Sequence, residues 1–289
     1  MFENFSQSDI DIGAGTIRTF TAGDGPPLLL LHGYPQSHVM WHKIAARLAE
    51  DFTVVATDLR GYGDSFKPDG GDDHSAYSFR AMAADQVAVM QSMGHDEFFV
   101  AGHDRGARVS HRMALDHPGA VKAMALLDIV PTLTLYRNIN QTLATGYFHW
   151  FFLIQRFDFP ERLIGADPEY YVRRIGAAAK SVDCFTGDAM AEYIRCFSDP
   201  ATIHATCEDY RAAAGIDLVH DEADQDRKVG CPTLVLWSAP GLMGQNFDML
   251  DVWREKCADV RGRGLDSSHF LPEDAPGETH QELKAFFKT

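Results

Sequence analysis

Along the first third of the chain, short runs at residues 16–21, 27–31, 53–56 and 98–101 are separated by turns. The bare apolar runs among them, four or five residues long with no polar alternation, predict strands buried on both faces, as in a parallel sheet. Between them, residues 40–50 and 79–93 place apolar side chains every three to four positions and predict helices. Residues 121–129 form another buried run, which Pro131 then interrupts. From residue 132 to 220 the pattern changes to helices rich in aromatics, with no strand-like run. The alternation resumes with a strand at 233–237 and helices at 250–256 and 278–287. Strand, helix, strand is the α/β signature. The pattern therefore predicts one α/β domain in two parts, residues 1–131 and 221–289, interrupted by a helical insertion at 132–220. There is no internal repeat, and the short acidic run at 221–226 reads as a solvated loop.

The chain has 289 residues, 26 Lys and Arg against 41 Asp and Glu, for a net charge of −15. This balance excludes nucleic acid and anionic membranes as partners, because phosphate recognition needs a cationic footprint. No stretch approaches the roughly 20 apolar residues of a membrane span. The N-terminus lacks a basic region followed by an apolar run, so a cytoplasmic location is expected. Five cysteines, at 184, 196, 207, 231 and 257, contain no C-x-x-C pair and suit free thiols better than disulfides or a zinc site.

Chemistry concentrates in Phe98-Phe99-Val100-Ala101-Gly102-His103-Asp104-Arg105-Gly106-Ala107, a strand running through G-x-D-x-G into a helix. A sharp strand-to-helix turn leaves no room for a Cβ on either side of the residue it presents. Asp104 is thereby held out at the turn as a carboxylate nucleophile, already ionised at neutral pH and suited to an alkyl carbon. The plainer reading makes Asp104 the N-cap of the following helix.

Four motifs in order resemble the α/β-hydrolase superfamily, over nearly the whole chain. They are this elbow, Leu31-His32-Gly33-Tyr34-Pro35 as the oxyanion-hole loop, Asp58-Leu59-Arg60-Gly61-Tyr62-Gly63-Asp64-Ser65 as a turn, and Ser268-His269-Phe270 as the histidine segment. The resemblance implies a mostly parallel, twisted sheet of about eight strands flanked by helices, with an inserted helical cap. It also implies the chain order nucleophile, acid, histidine, which points to His269 as the base that activates water. His111, His117 and His280 read as helix-surface residues. For the acid that orients His269, Asp128 lies at the end of a predicted strand, with Asp248 and Asp251 as rivals. The backbone N–H groups of Tyr34 and Arg105 are the expected oxyanion hole.

After the nucleophile come Arg105 and Arg108, three apart and so on one helix face. Arginine grips a carboxylate in bidentate fashion, which suits a substrate that brings its own carboxylate. A salt bridge with Asp104, or a solvated face, is the alternative, and Arg112 on the same face lies too far from the elbow. His149 and Trp150 in the insertion, with Tyr210 near its end, offer ring N–H and phenol donors to a leaving group. Together Asp104, Arg105, Arg108, Asp128, His149, Trp150, Tyr210 and His269 resemble the haloacetate (fluoroacetate) dehalogenase family. That family's arginine pair binds the substrate carboxylate, its His-Trp and Tyr positions bind halide, and its Asp-Asp-His triad forms and hydrolyses an ester. The resemblance favours Asp128 as the acid, needs no cofactor or metal, and implies a homodimer. Tyr34 bears on pocket size. Two other readings stand beside it: an epoxide hydrolase using Tyr147 and Tyr210 as acids, and a non-catalytic binder of small acids.

Overall fold

The computed structural model of the chain describes residues 1–179 and 184–288. Eight strands form one sheet: β1 (Ser6–Asp11), β2 (Thr16–Ala22), β3 (Pro27–Leu31), β4 (Thr53–Thr57), β5 (Phe98–His103), β6 (Val121–Leu127), β7 (Thr233–Ser238) and β8 (Val260–Leu265). Their order is β1-β2-β4-β3-β5-β6-β7-β8. The β1–β2 and β2–β4 pairs are antiparallel and every pair from β4 to β8 is parallel. This is the α/β-hydrolase architecture expected from the motifs.

The bare apolar runs became the centre of the sheet, where Leu28 to Leu31, Val100, Ala101 and Met124 to Leu127 are fully buried. The two edges carried no such run. Strand β1 is largely exposed and β8 alternates Arg and Gly, so neither could supply an apolar pattern. Each pairs with a single neighbour, β1 with β2 across a short hairpin turn and β8 with β7.

The helices at Phe79–Ser92 and Pro276–Phe287 follow their predicted periodicity. The stretch 40–50 does not form the continuous helix expected. It splits into a 3-10 turn, His38–Trp41, and a short helix, Ala45–Leu48. Successive i→i+3 backbone bonds, His42 to Val39 and Ile44 to Trp41, wind it tightly, so Val39, Met40, Trp41 and Ile44 are all buried. Between β6 and β7 the described residues contain helices from Thr132–Arg137 through Ile216–Ala223. They lie beyond the carboxyl ends of the parallel strands, where open α/β sheets place their crevice.

Three packing corrections follow. Asp221 and Asp224 are not merely solvated: both pair with Arg112, at 3.1 and 2.5 Å. His111 is buried edge-on against Trp253, and burial pushes its imidazole down to about 3. His280 is buried as well, while His117 is half-buried at the end of its helix.

The elbow needs both its glycines. A Cβ on Gly106 would stand 2.5 Å from the carbonyl oxygens of Leu31 and His32, and one on Gly102 would overlap the Gly106 carbonyl. These obstacles are backbone and cannot rotate away. Gly106→Ala is therefore expected to cost about 1–3 kcal/mol, as overpacking does. Gly119→Ala, where nothing lies within 4 Å of the new Cβ, should stay within about 0.5 kcal/mol of the parent. Urea unfolding of the two variants checks the contrast.

Candidate active site

Strand ends deliver the chemistry. Asp104 follows β5, Asp128 follows β6, His32-Gly33-Tyr34 follows β3, and the loop after β8 carries His269. Asp104 takes φ 48° and ψ −113°, a conformation rarely occupied by a residue with a side chain. Its carboxylate makes no capping bond to the helix Arg105–Asp116, so the N-cap reading does not hold. Instead Oδ1 accepts the Tyr34 backbone N–H at 3.0 Å. Oδ2 faces His269, whose Nε2 is 3.7 Å away.

His269 Nδ1 lies 2.7 Å from Asp128 Oδ2, and the other Asp128 oxygen accepts the Ser238 N–H at 2.9 Å. The rivals are elsewhere: Asp248 caps the helix Met249–Arg254, and Asp251 pairs with Arg254. Burial alone would raise the Asp104 carboxyl, but His269 and the two buried arginines outweigh it and hold it well below the usual carboxylate range. Burial alone would lower His269. The hydrogen bond to Asp128 and the charges of Asp128 and Asp104 outweigh it and raise the imidazole above its ordinary 6.5.

The two arginines, read as equivalent from sequence, are not. Arg105 is fully buried, and its fork is already engaged: Nε donates to Asp209 Oδ2 at 2.8 Å, and Nη2 donates to Asp209 Oδ1 and, at 2.9 Å, to the Asp209 carbonyl. A bidentate grip on a ligand by Arg105 is therefore not available, and only Nη1 is left without a partner among the described residues. Its salt-bridge partner is Asp209, not Asp104. Tyr62 completes this cluster, donating its phenol to Asp209 Oδ2 at 2.6 Å. Arg108 faces no carboxylate at hydrogen-bond distance. Nη1 donates to the Val130 carbonyl at 3.0 Å and the Thr132 hydroxyl at 2.9 Å, and Nε has no partner among the described residues. Burial pulls this guanidinium below its ordinary value.

The insertion closes the group from above. Tyr210 is its hub, with ring centroids 5.1 Å from Tyr34 and 5.8 Å from both His149 and Trp150, and the Arg105 guanidinium 4.3 Å over its face. Arg108 lies 4.6 Å over Trp150. The Trp150 indole N–H and the Tyr210 phenol are buried without a partner among the described residues. Burial pushes the Tyr210 phenol well above its ordinary value, so it stays protonated. Burial also lowers His149 to about 4, so it is a neutral imidazole. Tyr34 stacks on His149 at 5.8 Å and its phenol donates to the Tyr171 hydroxyl at 2.9 Å, which fixes the ring at the pocket wall. A cavity of about 530 Å³ opens beside Asp104, with Tyr147 and His149 on its cap side and Asp128 and His269 on its core side.

Sequence reasoning missed Asp209, Tyr62 and His103. The first two could not be found by spacing, because Asp209 is bound by Arg105 from 104 residues away and by Tyr62 from 147 residues away. His103, directly before Asp104, holds the histidine loop by its Nε2, 2.7 Å from the His269 carbonyl. Among the described residues no group of three or more His, Cys, Asp or Glu is arranged to hold a metal ion, and no helix is long and apolar enough to cross a membrane.

A sequence profile of the alpha/beta hydrolase fold matches residues 26–276. A fluoroacetate dehalogenase from Burkholderia sp is 44% identical over 288 residues, covering 99% of this chain and 95% of that protein. A soluble epoxide hydrolase from Corynebacterium sp. (strain C12) is 34% identical over 261 residues, 89% of this chain and 88% of its own. A crystal structure described as that of an α/β hydrolase from Nostoc sp PCC 7120 superposes with a TM-score of 0.98 at 58% identity, covering 99% of both chains.

The Arg105–Asp209 pair joins core to insertion with both side chains wholly buried. Asp209→Asn leaves Arg105 as an uncompensated buried charge and is expected to cost about 3–5 kcal/mol. Tyr62→Phe removes one hydrogen bond to a charged group, about 1.5–3 kcal/mol. Denaturant unfolding should rank the two in that order.

Proposed function

The chain belongs to the α/β-hydrolase family, and we propose that within it this protein hydrolyses the carbon–halogen bond of haloacetates, fluoroacetate and chloroacetate, to glycolate and halide. One observation carries the reading: four buried donors, Arg105 Nη1, Arg108 Nε, Trp150 Nε1 and Tyr210 Oη, have no partner among the described residues, and their side chains pack on one another within reach of the Asp104 charge. Such donors cost free energy unless a ligand meets them. Two belong to cations and suit a carboxylate. The others are neutral and suit a departing halide. The 44% identity to a fluoroacetate dehalogenase over nearly the whole chain supports the same chemistry.

In this mechanism Tyr34 N–H retains Asp104 Oδ1, leaving Oδ2 to displace halide from the carbon next to the substrate carboxylate. Trp150, Tyr210 and His149 donate to the halide as its charge develops. Charge-assisted hydrogen bonds contribute about 1.5–3 kcal/mol each, and about 1.4 kcal/mol is tenfold in rate. Three such donors acting in the transition state supply on the order of a thousandfold, without strict additivity. Fluoride gains most, being small and strongly accepting. His269 then takes a proton from water, whose oxygen attacks the Asp104 ester carbon; the acyl–oxygen bond breaks and the departing glycolate alkoxide receives the proton from His269. The oxyanion forms on Oδ1, at the Tyr34 and Arg105 N–H groups, and Asp128 stabilises the imidazolium.

A neutral epoxide uses the same nucleophile but leaves the Arg105 and Arg108 donors unmatched. A non-catalytic binder has no need of the Asp128–His269 hydrogen bond aimed at Asp104. Wild-type protein should release fluoride from fluoroacetate and chloride from chloroacetate, and inertness toward both refutes the reading. Asp104→Asn should abolish release, and His269→Ala should accumulate the Asp104 ester, visible by intact mass. His269 acts as the free base, so ester hydrolysis is lost as pH falls through its pKa. Asp128→Asn removes the hydrogen bond and charge that raise that pKa. The acid limb should then move to lower pH while the maximal rate falls.

A further inference from the structure

We propose that the same site also opens small epoxides that carry a carboxylate on the ring, glycidate being the simplest, to the corresponding dihydroxy acid. The inference rests on the nucleophile and anion site of the haloacetate reading and extends them to a second leaving group. Its starting point is the Tyr210 phenol. A halide departs as a stable anion and needs only hydrogen bonds, which the Trp150 indole can give. A ring oxygen departs as an alkoxide and needs a proton. Tyr210 is wholly buried, its hydroxyl has no partner among the described residues, and its ring adjoins Tyr34, His149 and Trp150. It can therefore transfer a proton where Trp150 can only share one.

The anion end sets which epoxides qualify. Arg105 Nη1 and Arg108 Nε are buried and unmatched, so a neutral epoxide would complete a desolvated pocket without satisfying them. In glycidate the carbon bearing the carboxylate also bears the ring oxygen, just as the reacting carbon of a haloacetate bears both carboxylate and halogen. The path of attack from Asp104 Oδ2 is then the same. The extra methylene has room in the cavity of about 530 Å³ lined by Asp104, Tyr34 and His149, the last two of which the Tyr210 ring packs against.

In the first step the Asp104 Oδ2–carbon bond forms as the ring carbon–oxygen bond breaks, and the electron pair goes to the ring oxygen, which takes the Tyr210 proton. In the second, His269 takes one proton from water while the water oxygen attacks the Asp104 carboxyl carbon. The acyl–oxygen bond breaks and the departing alkoxide receives the proton from His269. The second proton of that water, released from the Asp104 carboxyl, restores the Tyr210 phenol. One water is consumed and the product is glycerate.

The test follows glycerate formation from glycidate by chromatography, with chloroacetate and glycidamide, the neutral isostere of glycidate, in parallel. The expected result is enzymatic glycerate formation that disappears in Asp104→Asn. Glycidamide should react at least about 100-fold more slowly in kcat/KM, since it leaves buried polar groups unpaired. Tyr210→Phe should reduce kcat for glycidate at least about tenfold more than for chloroacetate, on the scale of one proton-transfer contribution. Dehalogenation of chloroacetate with no glycerate from glycidate overturns the proposal and leaves the haloacetate reading intact. Equal rates with glycidamide, or equal losses for both substrates in Tyr210→Phe, also overturn it. Inertness toward fluoroacetate, chloroacetate and glycidate alike removes both readings.

Discussion

Taking an ionised carboxylate out of water costs several kcal/mol unless the surroundings replace its hydration, and Asp104 is buried. The replacement is specific. One oxygen receives a backbone N–H from Tyr34, and the other faces His269. Two guanidinium groups lie behind it, on the first turns of its own helix. The backbone conformation of Asp104 fixes these relations together, because the turn that aims the carboxylate also starts the helix carrying Arg105 and Arg108. Gly106 lets that turn pass beneath Leu31 and His32, and Gly102 lets the start of the helix fold back against its own strand. Sheet, loop and helix thus converge on keeping one anion reactive in a dry place.

The net charge of −15 does not decide what this place binds. Charges are screened over roughly 8 Å in physiological salt, and the local balance differs from the global one. Asp209 neutralises Arg105, whereas Arg108 faces only neutral oxygens at hydrogen-bond distance. Arg108 is therefore the cation with a charge to offer, and Arg105 contributes its remaining Nη1 amino group. The same pairing couples insertion to core. Asp209 and Tyr210 are neighbours on the helix Pro200–Ala214, so docking Asp209 onto Arg105 also sets the Tyr210 phenol over the site.

What could be read from sequence follows the range of each interaction. The elbow, the loop at His32-Gly33-Tyr34 and the central strands depend on neighbours a few residues apart, and their spacing was visible. The helical insertion was visible as a change of period. Strands β1 and β8 were not, since β1 is an exposed hairpin strand and β8 alternates Arg and Gly, and an edge strand needs no apolar run. Asp128 was separable from Asp248 and Asp251 only by resemblance, until the structure set its carboxylate against His269. Arg105 shows the same limit more sharply. Its place beside Asp104 was legible, but its partner 104 residues away was not, and so the expected bidentate grip gave way to one free nitrogen, Nη1. His111 and His280 fell to the same cause, being buried by elements that periodicity alone cannot bring together.

The central claim is that Asp104, rather than water, attacks the substrate carbon. A single turnover of chloroacetate by excess protein in oxygen-18 water tests it directly. The glycolate of that turnover should carry no new label at its hydroxyl, and the label should appear in the Asp104 peptide on mass spectrometry. Label in the first-turnover glycolate hydroxyl, with Asp104 unlabelled, would contradict the account.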